Sequence, residues 1–308
     1  MSATPSGGAR AVVPIGPMSG KDLEPILTAL QAQVEALHAH DPEIRASHDP
    51  EGLRRMRIAV RRLRATLRAS RPLFGQSAVD GLRDELDWLG TALGRVRDLD
   101  MISASVASEL VALEGSTRRA SHALVRRLDA DRARAWDRLQ IALDGARYAR
   151  LLRRLKTLLG RAPRRAADVS LAEAAAAEWK KLRRAVKHLP GHPSAAELHE
   201  IRIRVKRARY AAELARAAGG PRVEKFIDRA KAIQDILGEH QDAVVIEEYL
   251  HDVIDRREAA HALEQQLVRR QRKRRKKICA AFFHGWPRLE RPGGRPGRPR
   301  PSRRALPR

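Results

Sequence analysis

The stretch Leu53-Arg54-Arg55-Met56-Arg57-Ile58-Ala59-Val60-Arg61-Arg62-Leu63-Arg64 decides the fold, because it reads as one helix carrying two adjoining stripes. At about 100° per residue, Leu53, Met56, Val60, Leu63 and Leu67 share a face. Arg54, Arg57, Arg61, Arg64 and Arg68 line the arc beside it. Like charges at these spacings repel by about 0.2–0.5 kcal/mol per pair, and a face that served only solubility would intersperse glutamates. Cations fixed against a packed wall are what a polyanion site needs. Arg55 and Arg62 point away from the apolar stripe and read as solvated surface.

The pattern returns about 145 residues later as Leu198-His199-Glu200-Ile201-Arg202-Ile203-Arg204-Val205-Lys206-Arg207-Ala208-Arg209. Here Leu198, Ile201, Val205 and Ala208 form the apolar face, with His199, Arg202, Lys206 and Arg209 beside it. A second pair keeps the same order and nearly the same offset: Leu93-Gly94-Arg95-Val96-Arg97-Asp98 and Leu237-Gly238-Glu239-His240-Gln241-Asp242. In both, the Gly and the Asp four residues on predict a helix break and a new N-terminus. The chain therefore reads as two homologous helical halves, roughly 21–160 and 168–286, joined by the linker Arg161–Asp168.

Around these helices the sequence is rich in Ala, Leu, Arg and Glu and lacks β-branched runs with period-two alternation, which predicts an all-α protein. Asp41-Pro42, Asp49-Pro50, Arg71-Pro72, Ala162-Pro163, the Leu189–Pro193 stretch and Gly219-Gly220-Pro221 fall between periodic segments, where helices should stop. Residues 1–20 read as a loose leader. From Pro287 to Arg308, eight arginines and six prolines predict a disordered basic tail that aids capture without forming a site.

The 308 residues carry 62 Lys plus Arg against 37 Asp plus Glu, a formal charge of +25, which marks an anionic partner. Arginine dominates, favouring bidentate contacts to phosphate oxygens. Aromatics make up 4% of the chain, and the scattered Trp88, Trp136, Trp179 and Trp286 argue against a stacking platform for bases. The single cysteine, Cys279, permits neither an intrachain disulfide nor a thiolate metal cluster, which suits a reducing cytoplasm. No apolar run reaches the length of a membrane span.

Two further basic segments stand out. Lys180, Arg183, Arg184 and Lys187 share a helical face opposite Leu182 and Val186. The run Arg269–Lys277 covers every side of its helix and would attract a polyanion without geometric selectivity. The dipeptides His40-Asp41, His48-Asp49 and His251-Asp252 resemble those of metal-dependent helical phosphohydrolases, but Asp beside Pro at a helix end has an ordinary capping role. Asp98 and Asp100 read as a cap or as partners of Arg95 and Arg97. No Walker glycine loop, nucleophile elbow or zinc-finger spacing is present, so binding and not catalysis is expected, with no metal or cofactor.

The doubled basic helix and the doubled Leu-Gly-x-x-x-Asp element also resemble a known family, the CHAD domain (conserved histidine α-helical domain). The resemblance spans about Lys21 to Trp286. It implies two pseudo-symmetric four-helix bundles around a central basic cavity that binds inorganic polyphosphate, with localisation in the cytoplasm at polyphosphate granules. The family's histidine three residues before the first arginine is present as His199, whereas the first half has Arg54. The expected polyphosphate ligands are Arg54, Arg57, Arg61 and Arg64 with His199, Arg202, Lys206 and Arg209; Arg68, Lys180, Arg184 and Lys187 would extend the path. Non-specific nucleic-acid binding is the runner-up, and a metal-dependent phosphohydrolase the third reading.

Overall fold

The structure, a computed structural model, describes residues 23–111, 118–161, 170–253 and 258–290. The leader 1–20, linker residues 162–168 and the chain from 291 onward lie outside the described residues. Among the described residues the chain forms ten helices and no strand. They are α1 Leu23–Ser47, α2 Pro50–Ala69, the short α3 Arg71–Phe74, α4 Gln76–Leu110, α5 Arg118–Asp144, α6 Ala146–Leu159, α7 Leu171–Lys187, α8 Ala195–Leu214, α9 Arg216–Val253 and α10 Glu258–Glu290. No helix there is long and apolar enough to cross a membrane.

Local chemistry sets the starts of the two basic helices. Asp49 caps α2 by accepting the Glu51 and Gly52 N–H groups at 3.1 and 2.6 Å, with Pro50 in the first turn where its missing N–H costs nothing. Ser194 and Glu197 cap α8 reciprocally: the Glu197 N–H donates to Ser194 Oγ at 3.2 Å, and the Ser194 N–H to Glu197 Oε2 at 2.7 Å. Each helix then buries the stripe its sequence predicts. Met56, Leu63, Leu67 and Val205 are fully buried, and Leu53, Val60, Leu198 and Ile201 nearly so.

Burial divides into two hydrophobic cores. The first joins α1, α2, α4, α5 and α6 through residues such as Leu37, Leu63, Leu89, Leu139 and Leu155. The second joins α7, α8, α9 and α10 through Leu182, Val205, Ile233 and Phe282. The cores do not follow the two sequence halves. Ile246 and Leu250 of α9, with Leu263 and Leu267 of α10, pack into the first core. Helix α2 packs on α1 and α4, α8 packs on α7 and α9, and the two sets meet where α2 touches α8 and α4 touches α9.

Several expected breaks are absent. Helix α4 runs unbroken through Gly94 and Asp98, because Leu93, Val96, Leu99 and Ile102 stay in helical phase and are all buried. Helix α9 continues likewise through Gly238, keeping Leu237 and Ile246 buried. Pro42 lies inside α1, whose last turns are held by the buried Ile44 and by Arg45, which donates to Asp41 at 2.6 Å. The first residues of the expected tail are helical instead: α10 continues through Pro287 to Glu290 and buries Leu289 in the second core. Gly220 does break its helix, as expected: its φ of 58° interrupts α9 just before Pro221.

Candidate anion-binding site

Where α2 meets α8, their stripes bring Arg57 and Arg61 together with Arg202 and Lys206, and Arg97 of α4 joins them. Burial pushes the Arg57 guanidinium down to about 10, with repulsion from Arg61, Arg97 and Arg202 adding to the effect and Asp98 opposing it. Burial also pushes the Lys206 ammonium down to about 7, and Arg202, Arg61, Arg57 and Arg209 repel its charge further. Arg202 is lowered by burial as well, offset by Asp242. Among the described residues, no carboxylate hydrogen-bonds to Arg57, Arg61, Arg202 or Lys206. The Nε–H groups of Arg61, Arg64, Arg202 and Arg209 are buried without an acceptor. An unmet buried donor costs about 1–3 kcal/mol. Arg83, Arg204 and Arg275 carry such an Nε–H too, and what sets the cluster apart is that several converge where no carboxylate is bonded to Arg57, Arg61, Arg202 or Lys206.

Two aspartates set the edge of the cluster. Arg97 donates from both terminal nitrogens to Asp242, at 2.7 and 2.9 Å, tying α4 to α9, and it contacts Asp98 at 3.3 Å. That pairing raises the Arg97 guanidinium, mainly through the hydrogen bonds it donates to Asp242. The sequence left Asp98 as a cap or a partner of Arg95 and Arg97, of which the structure shows the Arg97 contact, and it left Arg97 and Asp242 out of the site. The signal was the repeated Leu-Gly-x-x-x-Asp element, which sets a carboxylate on the flank of a continuous helix. A Cβ on Gly238 would lie 3.9 Å from Arg202 Nη2, so the guanidinium runs close along α9.

The remaining expected ligands occupy other surroundings. Arg54 is 61% exposed and bound by Glu51 through two 2.6 Å hydrogen bonds. Arg64 pairs with Asp87 of α4 at 2.5 Å. Arg209 pairs with Glu213 at 3.0 Å and lies 4.6 Å over the Tyr210 ring. Arg68 pairs with Glu178 of α7 at 3.1 Å, with Arg71, Arg83 and Arg207 close enough to lower its guanidinium beyond the effect of burial. His199 is exposed, its Nδ1 2.6 Å from the Gln241 side-chain oxygen. Lys180, Arg184 and Lys187 face elsewhere, into a groove between α7 and the end of α10.

The dipeptide histidines have structural neighbours. His48 stacks on Trp136 at 4.6 Å, His40 Nδ1 lies 3.0 Å from Glu43, and Asp49 is the α2 cap already described. Nor are all the tryptophans scattered in space. Trp179 and Trp286 lie 5.8 Å apart between ring centroids and share the α7–α10 groove with Phe283, so the fold gathers aromatics that the sequence separates.

Comparison with known proteins agrees with this architecture. The family model described as the CHAD domain matches residues 28–251. Uncharacterized protein Rv2226 of Mycobacterium tuberculosis strain H37Rv is 33% identical over 249 residues, covering 77% of this chain. Uncharacterized protein MT2285 of strain CDC 1551 matches to the same extent. The chain spans about half the length of these relatives, 47%. Among solved structures, PptA from Streptomyces chartreusis superposes with a TM-score of 0.73 at 22% identity, over 86% of this chain and 98% of that one. The CHAD domain of the plant Ricinus communis gives 0.67 at 26% identity, over 85% and 90%.

Proposed function

This chain belongs to the CHAD domain family, and from that premise we propose that it binds inorganic polyphosphate through the cations that α2 and α8 hold together. The carrying observation is the group Arg57, Arg61, Arg202 and Lys206, half-buried, mutually repelling and without a bonded carboxylate among the described residues. Each added phosphate relieves repulsion and meets donors that burial leaves unpartnered. Polyphosphate brings about one charge per unit along a flexible chain, so successive phosphates engage successive cations. Arg64, Arg68 and Arg209, already paired to carboxylates, would extend the path by exchanging partners. The two repeats would face each other across the strand, and association with polyphosphate granules in the cytoplasm follows from the same reading.

The role is binding without turnover. A competition assay tests it, with long-chain polyphosphate against duplex DNA at matched salt. Polyphosphate should win, and its log affinity should fall steeply with log salt because several cations release counterions together. Chain length should be unchanged after incubation with protein and magnesium. DNA outcompeting polyphosphate, or a flat salt response, would replace this reading.

A further inference from the structure

We propose a second site, for a nucleoside phosphate, in the groove between α7 and the C-terminal end of α10. It rests on residues separate from the α2–α8 cluster. The groove encloses about 600 Å³, a size suited to one small molecule. One wall is aromatic and the rim is cationic, and the two halves ask for different parts of one ligand.

The aromatic wall is Trp179, Phe283 and Trp286. Trp179 is braced edge-on by Phe226 at 5.2 Å and by Trp286 at 5.8 Å, while Phe282 supports Trp286 at 6.1 Å and Phe283 at 5.3 Å. Phe283 remains 37% exposed and open to a ligand on this wall. A planar base stacked there covers apolar surface and gains about 1–3 kcal/mol. The rim carries Lys180, Arg184 and Lys187, with one carboxylate, Glu290, whose charge Arg183 offsets. All three are exposed, and none has a carboxylate partner among the described residues. Their neighbour Arg183 is held by Glu290 at 3.1 Å and lies 6.0 Å from the Trp179 ring, which stiffens the corner between rim and wall. Inorganic polyphosphate offers charge to the rim and nothing to the wall, whereas a nucleoside phosphate offers both. The same chemistry comes as a free nucleotide or as the end of a single strand.

The test uses calorimetry and tryptophan fluorescence on the full chain with ATP, adenosine and inorganic triphosphate. To silence the α2–α8 cluster, each titration is repeated in the Arg57→Ala/Arg61→Ala variant. ATP should bind and quench tryptophan emission in both proteins, with triphosphate and adenosine each at least about tenfold weaker in the variant. Phe283→Ala and, separately, Arg184→Ala/Lys187→Ala should each weaken ATP about five- to tenfold. Phe283→Ala should leave polyphosphate affinity unchanged. A short single-stranded oligonucleotide that displaces ATP and depends on Phe283 assigns the natural ligand to a strand end; one that fails to displace it assigns a free nucleotide. Loss of ATP binding in the Arg57→Ala/Arg61→Ala variant, or triphosphate binding as well as ATP regardless of Phe283, would overturn the proposal.

Discussion

The α2–α8 cluster and the basic run of α10 are both dense in cations, yet their side chains live under opposite conditions. In α10, Arg272 and Arg275 both bond Glu247 at 2.7 Å, Arg274 reaches Glu239 at 3.6 Å, and Arg269 folds back on Gln265. Lys273, Lys276 and Lys277 extend into solvent. In the cluster, Arg57, Arg61, Arg202 and Lys206 are half-buried, face one another and lack such partners among the described residues. Counting charges ranks the α10 run first. Counting the cost of holding each charge in place ranks the cluster first, and that cost is what an anion can relieve.

The sharpest way to break this contrast removes two charges from each region. Arg57→Ala/Arg61→Ala, or Arg202→Ala/Lys206→Ala, should weaken polyphosphate binding about 100-fold or more, since each charged hydrogen bond is worth about 1.5–3 kcal/mol. Lys276→Ala/Lys277→Ala should cost less than about threefold, a screened surface effect. Equal losses by titration at one salt concentration would erase the distinction between the two regions.

A smaller effect lies in pH. Free Lys206 titrates near 7, and a bound phosphate restores its charge, so binding takes up a proton around neutrality. Affinity should fall about tenfold between pH 7 and 9, and Lys206→Arg should flatten that profile. Calorimetry in buffers of different ionisation heat reads the proton directly; no buffer dependence would mean that Lys206 stays outside the contact.

The same depressed group affects stability in the opposite sense. Its folded value lies below the unfolded one, so the cost of charging it is largest below pH 7 and is relieved as pH rises from 7 to about 10.5. The unliganded protein should therefore gain thermal stability across that window. Lys206→Met should raise Tm at pH 6 by about 2–4 °C, the shift about 1 kcal/mol gives a chain of this class. A fall in Tm would show that the ammonium is stabilised by its surroundings. The smallest expected effect is at Arg54, whose guanidinium is committed to Glu51 on an exposed surface. Arg54→Ala should change polyphosphate affinity by less than about twofold, and a larger loss would extend the site to the start of α2.

Most of the fold was legible because period 3.6 records which face of a helix is dry, and Leu53 to Leu67 obey it without exception. The central cations were legible for the same reason, standing one step around the wheel from buried leucines. The Arg54–Glu51 pair was also on the page, since Glu51 lies three residues upstream. What periodicity cannot record is which neighbour a face meets. Lys180, Arg184 and Lys187 have the right spacing, but α7 turns them toward the end of α10 and not toward α2. Asp242 was read as a local cap, and Asp98 as a cap or an arginine partner, because a Gly-x-x-x-Asp element looks like a helix start. Only the uninterrupted apolar phase of α4 and α9 makes them side-facing partners for arginine.

Helices α9 and α10 pass from one hydrophobic core into the other, and this has a mechanical consequence. The 33 residues of α10, at about 1.5 Å each, make a beam about 50 Å long, laid along α9 for much of its length. Moving one core against the other would mean bending both beams at once, so the spacing of α2 and α8 is held like the jaws of a locked caliper. Such a gauge would select the proposed ligand by thickness and charge interval and would not close on what it holds. On the proposed polyphosphate reading, a uniform thread would advance along it one unit at a time, each phosphate inheriting the cation its predecessor has just released.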